Sequence, residues 1–286
     1  CRGVHWMINW KECVNKSAGN ERVEDIQSYL TIDMPVYKAP IDEFYVEVKK
    51  IVMYSSNIQM LEENEFLGPL LYVGIISKTE NYIREILTEC IKICPICKRE
   101  TANRSVSFGS MMWQRSGEFE KGIFENISFS DSSAIKKELK NSLKVDINKN
   151  ELLSELLDEF DKLCQMRHAI VHSSRVLAGK NAIQLNIPPS IDKLSIRVGY
   201  AQLQECASIC TACVMTFNLK LFEVMGHRWA IDWRRLTDFW DEEKEDEYFS
   251  KIWDIFSSVI DRNEADLAEM TKAECINAIK IEYQLD

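Results

Sequence analysis

Apolar and polar positions alternate with a helical period over most of this chain. From Ile41 to Glu63 the apolar residues Phe44, Val46, Ile51, Met53 and Leu61 fall at helical spacing, and a stronger run predicts a helix from about Phe66 to Ile93. Ser130-Asp131-Ser132-Ser133 offers an N-cap for a helix over Ile135–Leu143, and Asn148 offers one for a helix over Glu151–Val171. In the latter, Leu152, Leu153, Leu156, Leu157, Phe160 and Leu163 mark a buried stripe, and one more step of four reaches Arg167. A cation on that edge asks for an explanation. The helical core resumes at about Val198, and Leu203–Val224, carrying Leu203, Ile209, Val214, Phe217, Leu221 and Phe222, is apolar enough to be its last helix.

Elsewhere the period breaks. Residues 1–40 mix Gly3, Gly19, Pro35 and Pro40 with Trp6, Trp10 and Tyr29, which predicts an irregular N-terminal wrap packed on the core. Gly109, Gly117 and Gly122 amid aromatics predict a loop-rich insertion or short hairpin over residues 98–130. A turn is expected at Ala178–Asn181, and the alternation of Ile183, Leu185 and Ile187 before Pro188-Pro189 predicts a short strand or extended arm. Beyond Trp229 the composition changes: Trp233, Phe239, Trp240 and Trp253 surround the acidic run Asp241–Glu247. The expected fold class is therefore all-α, with an N-terminal segment and helix over 1–64, a helical core over 65–227 and a C-terminal helical appendage over 228–286.

Composition agrees with a folded helical protein: 286 residues, 46% hydrophobic and 10% aromatic, with few Gly or Pro. The net charge of −10 and pI near 5.1 argue against broad, sequence-independent binding to nucleic acid, which rests on many Lys and Arg releasing counterions. A local positive cleft is still compatible with that charge. Lys136, Lys137, Lys140, Lys144 and Lys149 form one basic stretch, read either as a solvated face or as part of such a cleft. No run of about 18 apolar residues and no secretory signal pattern is found, so no membrane association and a cytoplasmic location are expected.

Ten cysteines in such a setting are expected to be reduced. Two triplets share C-x3-C-x2-C spacing, at Cys90, Cys94 and Cys97 and at Cys206, Cys210 and Cys213. That spacing also serves radical S-adenosylmethionine clusters, but no βα repeat or glycine-rich cofactor loop accompanies either copy. Two readings stay open: small apolar thiols filling helix contacts, or a structural zinc held by Cys94, Cys97, Cys210 and Cys213.

The chemistry-bearing stretch is Gln165-Met166-Arg167-His168-Ala169-Ile170-Val171-His172. RNA cleavage by its own 2′-hydroxyl needs a group titrating near neutrality to move protons, and a fixed cation to hold the crowded phosphorane. Arg167 and His172 supply one of each without a metal. Basic residues in a last helical turn also serve the helix dipole, and Cys164, His168 and His172, recurring every four residues, could instead form a metal-binding edge.

The Arg167–His172 segment, behind a leucine-rich helix and before a small polar loop, resembles the R-x4-H signature of the HEPN superfamily of all-helical ribonucleases. The helix carrying Leu71–Ile83, with Glu80 and an aromatic, resembles the first core helix of the group associated with RiboL-PSP proteins, where a Glu and an aromatic occupy similar places, and the likeness spans roughly residues 65–225. It implies a two-fold homodimer whose motif helices meet in one cleft, with no catalytic cofactor. His172 would act as general acid or base, Arg167 would brace the phosphate, His168 would orient RNA or carry a second proton, and Glu80 would support them. RNA, such as tRNA, would be cut to 2′,3′-cyclic phosphate and 5′-hydroxyl ends. Ser174 stands where related toxins carry a tyrosine, so silencing by adenylylation is not expected. The resemblance further implies a toxin or anti-phage effector controlled by an antitoxin or sensor, and control is assigned to the acidic Asp241–Glu247 region. The competing expectation is a metal-binding or non-catalytic helical dimerisation or regulatory module.

Overall fold

The structure is a computed structural model that describes residues 14, 19, 21–32, 37–113, 119–149, 151–263 and 270–285. It divides into two compact units, residues 1–37 and 38–286. In the first, Asp25 caps a 3-10 turn, Ile26–Tyr29, by accepting from the Gln27 amide at 2.9 Å. Most of the expected N-terminal wrap, including Gly3, Trp6, Trp10 and Pro35, lies outside the described residues.

The second unit is all-α, as the periodicity predicts. Its helices are α1 (Pro40–Met53), α2 (Ile58–Glu63), α3 (Leu67–Ile93), α4 (Pro95–Thr101), α5 (Phe108–Trp113), α6 (Phe119–Gly122), α7 (Ser132–Leu143), α8 (Leu152–His172), α9 (Gly179–Gln184), α10 (Tyr200–His227), α11 (Glu245–Phe256), α12 (Val259–Asn263) and α13 (Lys272–Tyr283). The long helix α3 lies at the centre, packed on α1, α8 and α10. It buries Ile75, Ile76, Ile83, Ile86 and Leu87, while α8 contributes Leu157, Phe160 and Leu163 and α10 contributes Leu203, Val214, Phe217 and Leu221. Leu152 is the exception in the α8 stripe, lying exposed at the first helical position.

Buried polar contacts fix the register. Tyr72 donates to the Leu163 carbonyl at 3.1 Å, joining α3 to α8, and Tyr82 donates to Asn218 Oδ1 at 3.1 Å, joining α3 to α10. Close approach does the same at Gly68, where an added Cβ would stand 2.0 Å from the Val198 carbonyl oxygen, so only glycine fits.

Several expectations change. The helical run from Ile41 to Glu63 is broken into α1, a 3-10 turn at Tyr54–Ser56 and α2, because Asn57 leaves the helix and its side chain accepts from the Met60 amide. Residues 98–130 hold short helices and no hairpin among the described residues. Phe124 and Phe129 of this stretch are fully buried, and Arg84 donates to the carbonyls of Phe124 and Ile127, so the insertion packs into the core. Asp131, from the expected capping stretch, caps α7 by accepting from Ala134 N at 2.7 Å. Asn148 caps nothing on α8; it bonds to Glu151, which stands at the cap without a side-chain cap bond. The strand expected at Ile183–Ile187 is replaced by α9, followed by a turn with Asn186 at φ 55°; the Ile and Leu alternation gave way to the helix-compatible run Lys180–Gln184.

No break in packing occurs at residue 228. The α10 path continues through a π-helical turn, Arg228–Asp232, and a 3-10 turn, Trp233–Arg235, with Trp229 and Trp233 buried. Asn218 Nδ2 donates to the Phe256 carbonyl at 2.9 Å, and buried Asp42 accepts from Ser258 Oγ at 2.5 Å and from Val259 N at 2.9 Å. These bonds tie the C-terminal helices to α10 and α1. The Tyr200–Arg235 path is long and apolar enough to cross a membrane by length and composition alone, and it packs on α1, α3, α8 and α11.

Candidate active site

The motif occupies the last turns of α8. Its end is fixed by two consecutive left-handed residues, Ser174 at φ 48° and Arg175 at φ 70°, a conformation uncommon outside glycine. What holds it is Arg175: its amide donates to the Ala169 carbonyl at 3.0 Å, and its guanidinium bonds both the carbonyl and the carboxylate of Glu65. The same guanidinium lies over the Phe66 ring at 5.5 Å. The turn that follows His172 is thus anchored to the start of α3.

A polar cleft of about 460 Å³ opens between α8, α9 and the N-terminus of α7. Arg167, His168 and Cys164 line it from α8, Lys180 and Asn181 from α9, and Asp131, Ser132 and Ser133 from α7. Asn181 is buried and donates to Gln165 Oε1 at 2.8 Å, which docks α9 on α8. Asp161 Oδ1 accepts from Ser132 N at 3.2 Å, tying the start of α7 to the same helix.

Arg167 faces inward. Its Nε is buried and has no hydrogen-bond partner among the described residues. Glu80 of α3 shares this environment: its Oε1 is also buried and unpartnered, and burial raises its carboxyl above the ordinary range, opposed by the charges of Arg167 and Arg84. Cys164 is held protonated by burial, with Glu80 adding to the rise. His168 and His172 are exposed, with ring centroids 4.7 Å apart and planes at 47°.

The structure therefore brings Arg167 and His168 to one cleft, places Glu80 behind Arg167, and sets His172 against His168 outside the cleft walls. At about 100° per residue, Arg167 and His172 project roughly 140° apart around α8, with His168 between them. Cys164, His168 and His172 are not brought together as a metal-binding group. Among the described residues no three His, Cys, Asp or Glu side chains converge as one, and Cys94 and Cys97 face Arg228 instead of Cys210 and Cys213.

The basic stretch before α8 is largely neutralised, through Lys136–Asp158 at 2.8 Å, Lys140–Asp146 at 2.9 Å and Lys144–Glu100 at 2.9 Å. The acidic run is engaged likewise: Asp241 pairs with Lys244, Glu247 with Lys251, and Glu245 with Arg234 and Lys280. Among the other hollows, one of about 620 Å³ along α2 is lined by Glu63 and Glu65 without a cation, and one of about 330 Å³ beside α10 and α11 is mostly apolar. Neither holds a histidine beside a cation as the α8 cleft does.

No family model, curated protein or solved structure matches the chain. The expected likeness to HEPN ribonucleases rests on the sequence motif alone. Sequence reading missed Lys180, Asn181 and the Ser130–Ser133 wall, although the serine cluster was visible as a helix cap. Nothing in the spacing showed that α9 would fold back beside α8.

Proposed function

We propose that the chain is a metal-independent endoribonuclease of HEPN type, cutting RNA to 2′,3′-cyclic phosphate and 5′-hydroxyl ends. The observation that carries this reading is the unpartnered Arg167 guanidinium N–H in the wall of a polar cleft, next to a pair of contacting histidines. A buried donor without an acceptor costs about 1–3 kcal/mol, and a phosphate oxygen entering the cleft supplies the missing acceptor. The 2′-oxygen attacks phosphorus as the bond to the 5′-oxygen breaks; one histidine takes the 2′-hydroxyl proton and the other delivers a proton to the leaving 5′-oxygen. Arg167 and Lys180 hold the charge that builds on the phosphorane, and Glu80 positions Arg167 from behind.

The divergence of Arg167 and His172 on one helix favours a second copy completing the site. The exposed face carrying His168, Val171 and His172 is where two α8 ends would meet. An RNase of this kind in a cell requires restraint, which fits a toxin or anti-phage effector held by an antitoxin or sensor.

The test is incubation of the purified chain with total RNA or tRNA in excess chelator, followed by mapping of the ends. Cyclic phosphate ends without metal are expected, and His172→Ala and Arg167→Ala should each lower the rate by about 10²–10⁴. Full activity in His172→Ala, or cleavage that requires a divalent ion, overturns the proposal. Mixing Arg167→Ala with His172→Ala chains should restore part of the activity if the cleft is composite. A fully active monomer by sedimentation refutes the shared cleft.

A further inference from the structure

Away from the cleft, Cys94 and Cys97 form a second chemical group that the ribonuclease reading does not use. Both sulfurs are fully buried, and both accept from one nitrogen: Arg228 Nη1 donates to Cys97 Sγ at 3.2 Å and to Cys94 Sγ at 3.6 Å. The other terminal nitrogen of Arg228 donates to the Leu143 carbonyl. Arg228 is only 6% exposed, and among the described residues its hydrogen-bond partners include no carboxylate. A buried guanidinium without a counter-charge is strongly unfavourable, and the anion available to it is a cysteine thiolate.

We propose that Cys94 and Cys97 are a redox-active dithiol, activated by Arg228, which closes to a disulfide when the protein meets a peroxide. The local geometry suits closure. Pro95 follows Cys94 at the first position of α4, the sulfurs hydrogen-bond to one another, and the three-residue step brings both to the same guanidinium. Hydrogen bonding from the Cys97 thiol and the charge of Arg228 bring the Cys94 thiol down to about 6, while the Cys97 thiol is pushed up and keeps its proton. Cys90, Cys164 and Cys213 are pushed up by burial, as inert core thiols are.

In the first step the Cys94 thiolate attacks one peroxide oxygen, the O–O bond breaks, and hydroxide leaves, so that Cys94 becomes a sulfenic acid. Cys97 sulfur then attacks the Cys94 sulfur, the S–O bond breaks, and the departing hydroxide takes the Cys97 proton as water. Two thiols lose two electrons to one peroxide, and the S–S bond forms. Access to the buried pair comes through local opening of the short helix α4.

Trypsin releases both sulfurs on one peptide, Ile93–Lys98, which makes the test direct. The intact chain is exposed to hydrogen peroxide, denatured, alkylated with N-ethylmaleimide and digested. The Ile93–Lys98 peptide should lose both labels and two hydrogens, at a rate at least about tenfold above the loss of label at Cys164 or Cys213. Cys97→Ser should stop at a Cys94 sulfenic acid that dimedone traps. Arg228→Gln, checked for folding by circular dichroism, should slow the reaction; if it does not fold, the comparison among cysteines in the unaltered chain decides. Ile93–Lys98 reacting no faster than Cys164 and Cys213, an unaltered rate in folded Arg228→Gln, or stoichiometric metal released with these two sulfurs would overturn the proposal.

Discussion

Arg167 and Glu80 make a prediction that separates a functional cation from a structural one. A buried Arg retained for stability should be costly to remove. Here both members of the pair carry a buried atom without a hydrogen-bond partner, and no ion pair within bonding distance joins them. Each unsatisfied atom costs about 1–3 kcal/mol, against which stands only their mutual attraction through a partly buried environment. Replacing an imperfectly satisfied buried pair with neutral groups of similar shape is often neutral or stabilising by roughly 1–4 kcal/mol. The double variant Arg167→Met/Glu80→Gln is therefore expected to be about 1–4 kcal/mol more stable than the parent and inactive toward RNA. Arg167→Met alone should fall below the double variant, because it leaves the Glu80 carboxylate with only Arg84, which is already engaged with the Phe124 and Ile127 carbonyls. Urea unfolding of the parent, both single variants and the double variant measures the cycle, provided the m-value stays constant. A double variant less stable than the parent by more than about 1 kcal/mol would make the pair a structural element. Retained cleavage would remove Arg167 from the chemistry.

Glu80 also fixes a pH dependence. Its carboxyl is raised above the ordinary 4.5, so the folded state holds that proton more tightly than the unfolded chain does; its contribution is complete below 4.5 and is lost as pH rises through the folded value. Glu80→Gln should gain on the parent as pH rises from 4.5 toward neutrality, and parallel pH–stability curves would refute the assignment. Asn218→Ala should cost about 2–6 kcal/mol in denaturant unfolding, since it strips partners from the buried Tyr82 hydroxyl and Phe256 carbonyl at about 1–3 kcal/mol each; a loss under about 1 kcal/mol would mean the C-terminal helices are only loosely held. A chain ending at Gly226 should be insoluble, because it discards the buried Trp229, Trp233, Phe249 and Ile252; a soluble truncated chain that arrests bacterial growth would restore the idea of a removable regulatory appendage.

How much of this could be read in advance follows from what each signal measures. The long helices α3, α8 and α10 were legible because their apolar residues repeat at helical spacing over many turns, and the structure places their ends within a few residues of expectation. The motif was legible as a local string. Its geometry was not, since spacing along one helix cannot say which atoms another element leaves unpartnered. Composition misled at residue 228: the change to tryptophans and acids suggested a separate appendage, yet Trp229 and Trp233 complete the core and the carboxylates pair with nearby lysines and an arginine. The strand expected at Ile183–Ile187 failed for a related reason. Three alternating aliphatics are too short a sample to separate a strand from a helix that docks through one buried polar residue, here Asn181.

The acidic character of the chain and the proposed RNA chemistry are reconciled at the cleft itself. Asp131 and Asp161 both stand in its wall, but their oxygens accept from Ser133 Oγ and Ala134 N and from Ser132 N, so they serve the start of α7. Arg167, His168 and Lys180 face the same space with no salt bridge among the described residues. On the ribonuclease reading, attraction for phosphate is then confined to a few positions, while the remaining surface of a chain with net charge −10 repels a long polyanion. Such a site selects a short, exposed segment of RNA, such as a loop whose backbone can be presented without the rest of the molecule lying along the protein. Neutralising only two or three phosphates also gives a shallow dependence of binding on salt, with a logarithmic slope of about −1.4 to −2.1, taking about −0.7 per phosphate for a single strand.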